Sequence, residues 1–360
     1  MKKSGFLSRL FYFYMILCIC ITALKCKTGG FLMLRVAMLS KWHVHAEGYA
    51  REFVGTGKAE ITAVWDENPD RGAEWASRLG ADFEPDLDTL LARDDVDAVC
   101  CCTPTTMHTD VLIRAAKAGK HIFTEKTLAC TVEECKKIAK TIEENSVTFV
   151  ISFPHKAWPV VKFAKEHIEN GDFGKVTNVR IRNAHNGVSG NWLPEYWFVK
   201  EDCAGGAMMD LGCHPMYLLS YLCGKPKKIT GIANAVFGTP VDENAISVIE
   251  FESGAIGVSE TSFLAYSSPY TIEVHGTDGI LLWQGGEIKY KTAETAKLNK
   301  GFITPDNLPK EDEKPIVRFV DACLDGTGSP EGLGTEEAIA LAELLENAYI
   351  SYETGKTVEI

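Results

Sequence analysis

Between residues 34 and 152, short apolar runs alternate with longer amphipathic ones, and this alternation constrains the fold more than any other feature. Strands are predicted over 34–40, 59–65, 98–102, 121–124 and 148–152. Helices are predicted between them, over 45–54, 73–79, 87–91, 109–118 and 131–145. A strand that is apolar along its whole length needs cover on both faces, and helical crossovers provide it. The pattern therefore predicts an α/β domain with a doubly wound parallel sheet. Ligands of such sheets sit at the carboxyl ends of the strands, where Ser40, Asp66, Thr103, Glu125 and Lys126 fall.

The pattern changes beyond residue 153. A helix over 158–169 leads through Gly171-Asp-Phe-Gly174 to a strand over 176–184. Further strand-like runs occupy 228–237, 245–251, 255–262, 270–275 and 280–283, several joined by turn sequences such as Thr277-Asp-Gly279. This predicts an α+β domain with a mostly antiparallel open sheet. Helices over 315–324 and 335–354 are expected to pack back on the whole. The expected organisation is an α/β domain over 33–152 and an α+β domain over 153–360.

Residues 1–32 read differently from the rest. Lys2, Lys3 and Arg9 precede an apolar run over 10–24, like the basic and hydrophobic parts of a signal peptide. The run is short for a membrane span, and no small-x-small cleavage site follows it. The preferred reading is an upstream extension or mis-assigned start outside the fold; a membrane-anchored or exported form is the alternative. The formal charge of −12 includes no basic stripe, which argues against nucleic acid as the main partner. Twelve cysteines without a CxxC pair indicate neither a zinc framework nor disulfides, and a reducing, cytoplasmic setting fits best.

The usual Gly-x-Gly-x-x-Gly after the first strand is absent. Its place holds Ser40-Lys41-Trp42-His43-Val44-His45, with Trp42 where a backbone would approach a phosphate. Asp66 ends the second strand, placed to accept from a ribose 2′-hydroxyl and to repel a 2′-phosphate, which favours NAD over NADP. Capping the Asn68-Pro69 turn is its other reading. His43-x-His45 has metal-ligand character, but no cysteine or carboxylate lies nearby in sequence, so no metal is expected.

Gly205-Gly206 opens an apolar helical run in which Asp210 and His214, four apart, would share one helix face. A carboxylate beside an imidazole suits proton transfer; an ordinary surface pair would look the same. A kink is expected at Pro215. The loop 183–197 is rich in amides and aromatic rings, which suit a sugar. Asn183, Trp192 and Trp197 are its candidate substrate contacts, with Lys156, His155 and His185 as weaker candidates for the same pocket. Trp192, Tyr196 and Trp197 read equally well as core or subunit contacts.

With Gly119-Lys-His-Ile-Phe-Thr-Glu125-Lys126-Thr127, Thr103-Pro104-Thr105-x-x-His108, Gly205-Gly206-x-x-x-Asp210-x-Gly212-x-His214 and Tyr352-x-x-Gly355-Lys356-x-Val358, the chain resembles the Gfo/Idh/MocA oxidoreductases. The resemblance runs from about residue 34 to 360. It implies a dinucleotide-binding Rossmann domain over 33–152 and a substrate and oligomerisation domain over 153–360, with NAD(P), hydride transfer at a sugar or polyol carbon, and an open sheet through which subunits often associate as a homo-oligomer. It makes Lys126, Asp210 and His214 the catalytic candidates. Cofactor contacts would come from Ser40, Trp42, His43, Val44, Asp66, Thr103, Pro104, Thr105, His108, Glu125 and Lys126. Two departures beyond the glycine loop stand out: Thr127 replaces a proline, and Tyr217 replaces a second aspartate.

The expected chemistry follows from those types. His214 takes the hydroxyl proton, Lys126 stabilises the reacting oxygen, and Asp210 orients the imidazole or a substrate hydroxyl. The leading expectation is an NAD-dependent dehydrogenase of a sugar, polyol or glycoside. Oxidation-assisted glycoside cleavage with retained NAD and a non-catalytic NAD- or sugar-sensing regulator are the alternatives.

Overall fold

The apolar runs of the first half are buried on both faces, as their composition requires. In the computed structural model, which describes residues 33–360, strands β1 (Leu34–Leu39), β2 (Ala59–Trp65), β3 (Asp82–Phe83), β4 (Ala98–Cys101), β5 (His121–Thr124) and β6 (Phe149–Ile151) form one sheet. Its order is 3-2-1-4-5-6, with every pair parallel. That is the doubly wound order whose reversal point, between β1 and β4, holds ligands. Helices α1 (Ala46–Gly55), α2 (Pro69–Leu79), α3 (Leu87–Leu91), α4 (His108–Lys117) and α5 (Val132–Glu144) make the crossovers. Cys100, Cys101 and Cys102 are fully buried, so the cysteine run serves as core.

The second sheet comprises β7 (Val176–Ala184), β8 (Pro226–Asn234), β9 (Asn244–Phe251), β10 (Ile256–Ser262), β11 (Thr271–Gly276), β12 (Gly279–Gln284), β13 (Glu287–Thr292) and β14 (Val358–Glu359). Its order is 13-12-11-7-10-9-8-14, antiparallel except where β7 runs parallel to β10. Helix α6 (Pro159–Glu169) precedes it. Three helices then follow β7: α7 (Lys200–Cys203), α8 (Ala207–Asp210) and α9 (Cys213–Cys223). Helix α9 is buried almost all round, against β7, β10 and α6, which explains its lack of an amphipathic stripe. Strands β3, β13 and β14 went unread in the sequence. Two are only two residues long, and β13 (Glu-Ile-Lys-Tyr-Lys-Thr) is a charged edge strand.

The Asp210/His214 segment corrects the expectation of one continuous helix. Helix α8 stops at Asp210, Leu211-Gly212 turn, and α9 begins at Cys213. A Cβ on Gly212 would stand 2.5 Å from the Met208 carbonyl, so only glycine allows this tight exit. Pro215 makes no kink, because it sits in the first turn of α9, where its missing N–H is not needed. The break lies three residues earlier.

After α10 (Thr295–Leu298), helix α11 (Pro315–Asp325) packs on α1 and β6, and α12 (Thr335–Thr354) spans from β8 to α5. The Val132 N–H donates to Glu346 (2.9 Å) and the Ile151 N–H to the Leu333 carbonyl (3.0 Å). These cross-ties make 34–360 one compact unit. Among the described residues, no helix is long and apolar enough to cross a membrane. The signal-like reading of residues 1–32 lies outside the described residues.

Candidate active site

Lys126 stands just past β5, and its buried ammonium reaches across to the α8 terminus. Nζ donates to Asp210 Oδ1 (2.6 Å) and to the Asp210 carbonyl (2.8 Å). Burial alone would lower the Lys126 pKa; the Asp210 carboxylate more than reverses this and holds the ammonium charged above its ordinary range. Burial likewise opposes the Asp210 charge, and Lys126 brings its carboxyl below the ordinary value. Lys126 is thus buried, and its ammonium pairs with Asp210 across 84 residues. The Lys126–Thr127 peptide is cis.

Asp242, in the β8–β9 connection, holds α8 in place. Its carboxylate accepts from the Gly206 N–H (2.9 Å), the Met208 N–H (2.7 Å) and the Tyr349 hydroxyl (2.7 Å). A Cβ on Gly206 would collide with the Asp242 backbone, so the glycine pair presses against this loop.

His214 is buried on α9, and its Nδ1 lies 3.0 Å from the Tyr217 hydroxyl. Its ring lies tilted against His155 (centroids 4.4 Å, 37°), and Tyr217 stacks on Phe153 (4.3 Å). Burial, then His155 and Lys126, push the His214 pKa well below 6.5, so the imidazole is neutral at working pH. Asp210 bonds to Lys126 while the imidazole bonds to Tyr217. The expectation that Asp210 orients the imidazole is therefore corrected, because the α8–α9 break turns the two side chains to different partners. The tyrosine in the place of the second aspartate supplies that contact.

Beside Lys126, Glu125 is buried and gathers polar groups from the glycine-free loop. Its Oε1 lies 2.6 Å from His45 Nδ1 and 3.4 Å from His43 Nδ1, and accepts from the Tyr49 hydroxyl. Oε2 accepts the Lys126 N–H (2.8 Å), and Tyr49 also reaches Ser152 Oγ (2.8 Å). Burial opposes the Glu125 charge, but the imidazoles and Lys126 hold its carboxyl well below the usual range. Burial lowers the His43 pKa to about 3. Tyr49 was missed in the sequence; its position four residues after His45 at the start of α1 was the available signal.

The turn after β1 fits a dinucleotide in part. Ser40 keeps a left-handed backbone (φ 70°), the conformation the absent glycine would supply. Its Oγ accepts the Trp42 N–H (3.0 Å). The N–H groups of Lys41, His43 and His45 bond to Asp66 Oδ2 (2.8 Å), the Cys102 carbonyl (3.1 Å) and His43 Nδ1 (3.2 Å). The first turn of α1 follows, and at its Gly48 a side chain would meet open space. Asp66 closes β2 as expected, and it serves the other reading too. It accepts the Asn68 N–H (2.8 Å) and carries the Arg71 guanidinium (2.7 Å). The strand-end carboxylate and the helix N-terminus stand where a ribose and a pyrophosphate need them, but Asp66 is buried with both oxygens bonded within the chain.

Trp42 turns away from the loop and is buried. It stacks on Trp197 (centroids 4.8 Å, 13°) and packs near Tyr196, Leu193 and Phe263, its indole N–H without a partner. Trp42, Trp197, His43, Thr105, Lys126 and Asp210 line a cavity of about 20 Å³, room for one water and not for a sugar. Val44 is exposed on the opposite side of the loop, in a larger cleft of about 430 Å³.

The remaining candidates divide between this region and structural duty. His108 is buried with its nitrogens facing the carbonyls of Thr127 (2.9 Å) and Thr103 (3.2 Å), so it ties two loops together. Thr103 is buried with its hydroxyl at Cys101 Sγ, and Pro104 precedes a short turn. Asn183 donates to the Leu211 carbonyl (3.2 Å), holding the α8–α9 turn. His185 stacks on Phe263, and Trp192 is half-exposed. Lys156 donates to the Gly332 carbonyl (2.8 Å) at a separate cavity. His155 lies against His214 with its Nδ1 buried and unpartnered.

Residues 39–153 match the model of the oxidoreductase family with an NAD-binding Rossmann fold, and 161–282 match the GFO/IDH/MocA C-terminal domain. The levoglucosan dehydrogenase of Pseudarthrobacter phenanthrenivorans is 27% identical over 268 residues, covering 66% of this chain and 69% of the relative. The scyllo-inositol 2-dehydrogenase (NAD(+)) of Bacillus subtilis is 29% identical over 274 residues, covering 73% and 77%. A structure of levoglucosan dehydrogenase in complex with NADH and levoglucosan superposes with a TM-score of 0.81 at 22% identity, covering 91% of this chain and 99% of the other; at that identity it speaks for the fold.

Proposed function

Since the chain belongs to the Gfo/Idh/MocA oxidoreductases, we propose that it oxidises a secondary hydroxyl of a sugar, polyol or glycoside, passing the hydride to NAD. The observation that carries this reading is the buried Lys126–Asp210 pair (2.6 Å) at the carboxyl end of the parallel sheet, with the His214 imidazole neutral on the next helix. NAD, when bound, supplies the hydride acceptor. The first turn of α1 and the Asp66 strand end are the places that would hold it, while Glu125 is buried and already bonded to His45, Tyr49 and the Lys126 N–H; Asp66 argues for NAD over NADP.

The chain's own residues do the rest. The Lys126 ammonium, held charged by Asp210, donates to the reacting oxygen as negative charge develops there. His214 takes the hydroxyl proton at Nε2 when Nδ1 carries the hydrogen donated to Tyr217. Trp42 and Trp197 wall the Lys126 cavity from water and must part to admit a sugar ring. Lys126→Met and His214→Ala are expected to bind NAD and to lose turnover; wild-type rates in either remove the assignment.

The closed cavity and the internally bonded N–H groups favour a second reading, a non-catalytic NAD-sensing regulator. NAD binding without reduction on any carbohydrate would establish it. We further propose that the chain associates with a second copy through the outer face of its second sheet. There Ile232, Ile246, Val248 and Ile256 are exposed side by side. A monomeric mass by light scattering would exclude that.

A further inference from the structure

The residues that replace the glycine fingerprint are chemically coherent in their own right. His43 and His45, from the loop after β1, and Glu125, from the end of β5, bring one ligand atom each to within 4.8 Å of one another. Eighty residues separate His45 from Glu125, so the fold, not the local sequence, assembles the set. We propose that His43, His45 and Glu125 bind one divalent transition-metal ion of the zinc class. The proposal rests on this geometry and does not require the hydride-transfer reading.

Two imidazoles and one carboxylate suit zinc and its first-row neighbours, whereas calcium and magnesium prefer oxygen alone. Around a tetrahedral ion with bonds of about 2.0–2.2 Å, donors stand roughly 3.3 Å apart. His43 Nδ1 and Glu125 Oε1 are already 3.4 Å apart, and to ligate an ion Nδ1 must release the His45 N–H it now accepts (3.2 Å). His45 Nδ1, at 2.6 Å, must withdraw by under 1 Å, which its half-exposed side chain permits. The outer groups are those a metal ligand needs. Glu125 is fixed by the Tyr49 hydroxyl and the Lys126 N–H, and Tyr49 is in turn held at Ser152. The ammonium of the adjacent Lys126 is paired with Asp210, and so its charge is neutralised locally. An entry path exists as well: the cleft of about 430 Å³ is lined by His45, Tyr49 and Ser152. The three ligands leave positions open for water or another oxygen.

The test is a Co²⁺ titration of the chelator-treated full chain, followed by visible absorption and repeated in competition with Zn²⁺. One equivalent per chain is expected, with nitrogen- and oxygen-coordinated cobalt bands and displacement by Zn²⁺. His45→Ala, at a half-exposed position that tolerates substitution, is expected to weaken binding by at least ~10-fold, and Tyr49→Phe by about 10-fold. His275→Ala, on the exposed end of β11, is expected to change nothing. No saturable binding, a thiolate-to-cobalt charge-transfer band, or unchanged binding in His45→Ala would each overturn the proposal. In that event His43, His45, Tyr49 and Glu125 form a hydrogen-bonded network only.

Discussion

Replacing Asp210 with asparagine keeps the shape of the site and removes one charge, and its consequences can be worked from the Lys126–Asp210 separation of 2.6 Å. At an effective dielectric of about 20, that pair attracts by roughly 6 kcal/mol. Against this stands the burial of the ammonium, which is 3% exposed and alone would lower its pKa. In Asp210→Asn the burial is unopposed, and unpaired buried lysines titrate up to roughly 3–5 units low. The wild-type ammonium is held above its ordinary range and stays charged across neutral and mildly alkaline pH. The variant should instead lose its proton as pH rises through that interval. We expect kcat near neutrality to fall on the order of 100-fold. A descending limb in the pH–rate profile, absent from wild type, should appear as pH is raised. Removing one partner of a buried pair also costs about 3 kcal/mol of stability, read from the urea midpoint. Superimposable wild-type and Asp210→Asn profiles between about pH 6 and 10 would refute the reasoning, because Lys126 would then owe nothing to Asp210.

Trp42→Ala should destabilise by about 3 kcal/mol in urea, near the low end for a buried tryptophan because its indole N–H has no partner; a loss under ~0.5 kcal/mol would place the ring on the surface instead. Burial lowers both His43 and His155 to about 3, so each contributes stability that is complete above the ordinary histidine pKa of 6.5 and erodes as pH falls toward 3. Between pH 6.5 and 5 the loss should approach roughly 1.4 kcal/mol per pH unit for each, and a flat urea midpoint there would contradict the burial of both rings. Tyr217→Phe retains the stack on Phe153 but removes the hydroxyl at His214; we expect kcat to fall about 5-fold, from one hydrogen bond of roughly 1 kcal/mol, with KM unchanged. An unaltered kcat would mean the imidazole is oriented by packing alone.

The first half of the fold was readable because its strands announce themselves: β4 is Ala-Val-Cys-Cys, buried on both faces, and each neighbouring helix has its own apolar face. The charged edge strand β13 and the two-residue β3 and β14 carry no such period, and only pairing with neighbours defines them. At the site, residue types and strand-end positions pointed to Lys126, Asp210 and Glu125, but not to their partners. Lys126 and Asp210 meet across 84 residues and Glu125 and His45 across 80, so no local pattern records either contact. The helix of Asp210 and His214 misled because spacing of four implies a shared face only on an unbroken helix. Gly212, forced by the close Met208 carbonyl, breaks it, and the partner of His214 is then Tyr217. Asp242, which caps α8, gave no local signal, since its acceptor role depends on Gly206 approaching from another loop.

The central claim is that Lys126 supplies the charge that stabilises the reacting oxygen during hydride transfer. Its most direct measurement is reduction of NAD⁺ by the purified chain across a panel of sugars, polyols and glycosides, followed at the reduced-nicotinamide absorbance with wild type and Lys126→Met side by side. Wild type should form NADH with at least one compound bearing a secondary hydroxyl, and Lys126→Met should bind NAD⁺ while its rate on that compound falls by on the order of 100- to 1,000-fold. Equal rates for the two proteins on the same substrate would contradict the account.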